Sequence, residues 1–130
     1  MQKELIDKNP ILKSTIDFSI SIIEFCEKLN EQRQYIISNQ LLRSATSIGA
    51  NSMEAQNAES KADFIHKLKI AAKEADETQY WLIICERSKL NIDTEFLQNK
   101  LTEIQKILNA ILGSAKKKSP LTYFFSFLFC

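Results

Sequence analysis

Between Asn9 and Ala115 the apolar and small residues of this chain return at alternating steps of three and four, the spacing that places side chains on one face of an α-helix. Leu12, Thr15, Ser19, Ile22, Cys26 and Leu29 form the first row, which Ile16 and Ile23 widen. Asn9-Pro10 predicts where that helix begins. Asparagine caps, and proline at the first helical position gives up only an amide that has no partner anyway. Asn30 to Gln32 reads as the turn that follows. A second helix is predicted over roughly residues 33–57, with Leu41, Ala45, Ile48, Ser52 and Ala55 on one face. Gly49 sits in its middle, where glycine costs about 1 kcal/mol relative to alanine, so a closely approaching neighbour is expected there.

Ser60-Lys-Ala-Asp63 is a capping-box-like start for a third helix. Its heptad row is Phe64, Leu68, Ala71, Ala75, Thr78, Leu82 and Cys85, and a second row of Ile70, Glu77, Trp81 and Ile84 lies on an adjacent face. One helix with two rows needs two sets of neighbours, which predicts a partner beyond the three other helices. Asn91 to Asp93 forms the next turn, with Asp93 as a cap. The fourth helix carries Leu97, Leu101, Ile104, Leu108, Ile111 and Ala115. Gly113 and Lys116 to Lys118 suit its C-terminal end, where cations offset the helix dipole.

Composition sharpens this picture. With 130 residues the chain is one domain, and its two glycines and two prolines leave little with which to build the turns of a sheet. The reading is an all-α protein, an antiparallel up-down-up-down four-helix bundle over residues 1–118. Residues 119–130 are a separate aromatic C-terminal tail holding four of the eight phenylalanines, with readings as a docking segment, a membrane-surface anchor or a flexible end. Cys26, Cys85 and Cys130 are widely spaced and odd in number, Met1 is followed by Gln-Lys-Glu with no apolar leader, and no segment is apolar for long enough to span a bilayer. A cytoplasmic protein with reduced thiols and no integral membrane insertion is expected.

Net charge is +1, so a polyanion site could only be a local patch. Residues 59–73 supply one: His66, Lys69 and Lys73 fall on one face of the third helix with Lys61 and Lys67 nearby, and Arg43, Arg87, Lys89 and Lys116 to Lys118 could extend it. A lysine face is ordinarily just a solvated one. It gains weight as a nucleic-acid-binding surface if an oligomer repeats it, because phosphate contacts then add. Arg43, Asn51 and Glu54 follow helical spacing and read either as part of a polar binding strip or as a structural network.

The signals for catalysis are weak. Asp63 and His66 have the i,i+3 spacing of di-iron bundles, but those sites need the motif twice and His66 is the sole histidine. Glu54, Glu74 and Glu77 come with no cleft, and a glutamate inside an apolar row, as Glu77 is, more often has a satisfying partner than a reaction to run. There is no glycine-rich phosphate loop. A non-enzymatic protein without metal or cofactor is expected.

The run Gln40 to Asn51 (QLLRSATSIGAN), then Glu54, Ala62-Asp-Phe-Ile65 and Glu77-Thr-Gln-Tyr-Trp-Leu82, resembles the S23 or rRNA-intervening-sequence protein family, to which the accessory protein of diversity-generating retroelements is related. The resemblance runs over roughly residues 10–115. It implies a four-helix bundle that assembles as a pentameric ring. It also implies a scaffold that binds RNA, DNA or a ribonucleoprotein, or a protein partner such as a reverse transcriptase. The alternative is a protein–protein interaction module with no nucleic-acid role.

Overall fold

The computed structural model describes residues 3–117. Among them there are helices and no strand: α1 (Lys3–Lys8), α2 (Pro10–Glu31), α3 (Tyr35–Ala55), α4 (Lys61–Arg87) and α5 (Glu95–Lys117). The short α1 was not foreseen; it precedes Pro10 and rests on α2. The tail 119–130 lies outside the described residues.

Each long helix packs on two others, α2 on α3, α3 on α4, α4 on α5, and α5 back on α2. Cross-helix partners give the directions. Cys26 meets Ser38, and Asn9 meets Gln56, so numbers rise along α2 as they fall along α3. Arg43 with Glu74 and Glu54 with Lys67 do the same for α3 and α4. Glu86 with Gln98 and Gln79 with Gln105 do so for α4 and α5. The result is an antiparallel bundle.

The helix ends follow local chemistry. The Asn9 carboxamide oxygen accepts from the Ile11 and Leu12 amides with Pro10 in the first turn. Ser60 Oγ accepts from the Asp63 amide, and Asp63 returns the bond one residue early, to the Glu59 amide at 3.1 Å. Asp93 accepts from the Glu95 amide at 3.0 Å. The α2–α3 reversal runs later than expected, over residues 32–34. There Arg33 takes φ 60° while the Gln34 amide reaches back to the Leu29 carbonyl and the Arg33 amide to Asn30. This is the helix-ending motif that usually recruits glycine at that position.

The expected core is largely in place. All seven residues of the α4 heptad are buried, as are Leu41, Ala45, Ile48, Ser52 and Ala55 of α3. In α2 the buried face is rotated towards Ile11, Phe18 and Phe25, which leaves Ile23 exposed where it was expected to widen the row. A Cβ placed on Gly49 would lie 3.0 Å from Thr15 Oγ1 and 3.1 Å from Thr15 Cβ, so the close neighbour is α2. Small residues also line the α3–α4 contact, where Thr78 Oγ1 donates to Ser44 Oγ at 3.0 Å. Cys26 and Cys85 are free and buried. Loss of solvation pushes both thiols up, Cys85 to about 11.

Candidate nucleic-acid interface

With the α4 heptad turned inward, the residues half a turn away must face solvent. His66, Lys69 and Lys73 do so, and all three are exposed. Among the described residues no carboxylate lies within salt-bridge distance of Lys69 or Lys73. Their charges are therefore available to an external anion. Lys116, in the last turn of α5, is also exposed. The antiparallel register that sets Gln105 against Asp76 and Gln79 carries Lys116 to the level of the first two turns of α4.

The other cations of the expected patch are placed differently. Lys67 Nζ is 3.6 Å from Glu54 on α3 and is half-buried. Lys61 is half-buried in the first turn of α4. Arg87 and Lys89 are exposed at the opposite end, about 27 Å from Lys69 along the helix at 1.5 Å per residue. Arg43 points at carboxylates. Its guanidinium donates to Glu74 Oε2 at 3.3 Å, to Glu77 Oε2 and to Gln40 Oε1. Glu77 Oε2 also accepts from the Trp81 indole N–H at 3.0 Å. The second row of α4 is thus half polar network and half apolar edge: Glu77 is satisfied by Arg43 and Trp81, while Ile70, Trp81 and Ile84 are half-buried. Of the polar strip, Asn51 bonds within its own helix, to the Ser47 carbonyl at 2.9 Å.

One exposed aromatic escapes the spacing rules used on the sequence. Tyr80 follows Lys73 by two turns, which keeps it on the same outer face, and it is 56 % exposed. On sequence alone Tyr80 and Trp81 read most simply as core and interface anchors, not base-stacking platforms; the spacing from Lys73 is the signal that sets Tyr80 apart.

Two open depressions lie away from this face. One is at the α4–α5 turn, beside Glu86, Asn91, Asp93 and Gln98; the other lies between α2 and α5, beside Ser14, Phe18, Phe96 and Lys100. Among the described residues no three His, Cys, Asp or Glu side chains gather as a metal site. No helix there is long and apolar enough to cross a membrane.

The family profile described as 23S rRNA-intervening sequence protein matches residues 7–110. The chain belongs to that family. The matched region holds α2, α3, α4 and most of α5, and so includes the α4 basic face and the Arg43 network. A 1.70 Å crystal structure of a protein of unknown function from the S23 ribosomal protein family of Bacteroides thetaiotaomicron VPI-5482 is similar over 78 % of this chain and 97 % of that one, at 44 % identity and a TM-score of 0.75. No curated protein matches the chain. Membership in the family agrees with the resemblance read from the Gln40–Asn51 run and the Glu77–Leu82 run.

Proposed function

We propose that this member of the 23S rRNA-intervening sequence protein family is a non-enzymatic, cytoplasmic scaffold that assembles as a pentameric ring and binds nucleic acid or a ribonucleoprotein. The observation that carries this reading is the α4 face, where His66, Lys69 and Lys73 stand exposed and the two lysines have no intramolecular carboxylate among the described residues. Lysines reach phosphates as point charges and read no base, so binding is expected to be nearly sequence-independent and strongly salt-dependent. One such face is weak; a ring presents it several times over. Assembly is supported by apolar surface that the bundle leaves open, Ile36 at 80 % exposure and Tyr35 at 55 %, beside the half-buried Trp81 and Ile84 edge.

Two measurements test this. Light scattering at micromolar concentration should give one species of about five chain masses; a stable, helical monomer would overturn the ring. An anisotropy titration of labelled RNA and DNA at several salt concentrations should show binding at about 50 mM salt that falls steeply above it. Replacing Lys69 and Lys73 with Gln should flatten the log–log salt slope by about 0.7–0.9 for each phosphate that is no longer neutralised. No affinity at low salt would leave the second reading, a protein-binding module that uses the same exposed apolar residues.

A further inference from the structure

We infer that the α4 face takes single-stranded nucleic acid, with Tyr80 as a stacking platform at the end of the cation row; this rests on the nucleic-acid reading above. His66, Lys69, Lys73 and Tyr80 fall within about a sixth of the helix circumference at 3.6 residues per turn. They span about 21 Å along the axis, the length of about six stacked nucleotides at 3.4 Å each. A row of cations leading to an exposed ring is the arrangement with which proteins hold unpaired strands: charges follow the backbone and the ring receives a base.

The ring is held in place from one side. Tyr80 and Trp81 meet edge to face, with centroids 5.2 Å apart and planes at 79°. Trp81 in turn donates its indole N–H to Glu77, which Arg43 of α3 also engages. Tyr80 is therefore oriented by a chain of contacts anchored on a second helix, and more than half of it still faces solvent. A platform fixed before binding gives up less freedom when a base settles on it. The two carboxylates flanking this track are engaged elsewhere: Asp76 accepts from Gln105 of α5 at 3.4 Å, and Glu77 accepts from Arg43 and Trp81. A duplex hides the faces of its bases and can use only the cations, so the aromatic makes the face selective for unpaired strands.

The experiment compares labelled 12-nucleotide single-stranded RNA, single-stranded DNA and a duplex of the same sequence, with wild type, Tyr80→Ala, Tyr80→Phe and the Lys69→Gln/Lys73→Gln double variant. Wild type should prefer the single strands. Tyr80→Ala should weaken them by about 5- to 150-fold, the range found when one stacked base loses its aromatic. Duplex affinity and the salt slope should not move. Tyr80→Phe should bind like wild type, because the platform needs a ring and not a hydroxyl. The double variant should lower the salt slope for all three probes. The RNA and DNA arms show which strand is the preferred ligand. An unchanged single-strand affinity in Tyr80→Ala would overturn the inference while salt-dependent binding kept the scaffold reading alive. Wild type that binds no probe would sink both. A Tyr80→Ala protein of reduced mass in light scattering would assign the tyrosine to a subunit contact and overturn the platform.

Discussion

Placing leucine at Gly49 should destabilise this bundle, and the reason is geometric. The Cβ position is fixed by the backbone, so no rotamer of the new side chain can move it. At that position it would sit 3.0 Å from Thr15 Oγ1 and 3.1 Å from Thr15 Cβ. Thr15 cannot turn aside cheaply: it is fully buried, and its hydroxyl donates to the Ile11 carbonyl at 2.7 Å. Either α2 and α3 move apart or the hydroxyl loses its acceptor. Overpacking of this kind costs about 1–3 kcal/mol, and replacing glycine returns roughly 1 kcal/mol of helix propensity, so the net loss is up to about 2 kcal/mol. At about 4 °C per kcal/mol for a chain of this size, melting should fall by up to about 8 °C. Gly49→Ala meets the same first contact without the rest of the side chain, so it should lie between the two. Adding Thr15→Ala to Gly49→Leu should recover part of the loss, because it removes the nearer of the two clashing atoms. The assay is thermal melting by circular dichroism at one fixed protein concentration, since assembly makes the midpoint concentration-dependent. A midpoint that rises in Gly49→Leu, as helix propensity alone would make it, would refute the α2–α3 approach described above.

Arg43→Gln should lower melting by only about 2–4 °C, because its pairs with Glu74 and Glu77 are partly exposed and worth about 0.5–1 kcal/mol. It should leave nucleic-acid affinity unchanged, and a loss comparable to that of the Lys69/Lys73 double variant would show that Arg43 reaches the ligand. Cys85 should make the fold sensitive to alkali. Its folded thiol is held at about 11 against an ordinary 9.0, so the unfolded chain releases its proton first and stability is lost as pH rises from about 9 towards 11. Melting across that range should flatten in Cys85→Ala, and an identical slope in both proteins would contradict the argument. For the same reason Cys26 and Cys85 should resist iodoacetamide at pH 8 until denaturant is added, and prompt labelling of the native protein would count against their burial.

What was legible in the sequence was whatever rests on period. The α4 heptad is buried at every position named for it, and the Asn9, Ser60 and Asp93 caps form because each supplies a short oxygen acceptor just where amides lack partners. Position 49 announced itself because a glycine inside a helix is otherwise a loss. Ile23 failed because a row read at steps of three and four leaves its own edges undetermined by a residue or so, and Phe18 and Phe25 pull α2 the other way. The α2–α3 turn was mislocated because Arg33, not glycine, takes the left-handed position, and an arginine carries no mark of that role. In the candidate site the spacing of His66, Lys69 and Lys73 was enough to place them together. That Arg43 and Lys67 are engaged by carboxylates of other helices was not readable, since those partners lie 31, 34 and 13 residues away and depend on how α3 and α4 meet.

The Trp81–Glu77 hydrogen bond has a spectroscopic consequence. Trp81 is the single tryptophan of the chain, so all indole emission comes from one ring, and that ring is tied to a carboxylate which also holds the guanidinium of α3. Fluorescence excited at the red edge of the indole band, where the three tyrosines absorb little, therefore reports on one junction, the clasp between the second and third long helices, with no label. In a stopped-flow refolding trace its signal would time the closing of that clasp separately from the helicity seen by circular dichroism, and a lag between the two would show helices forming before they pair.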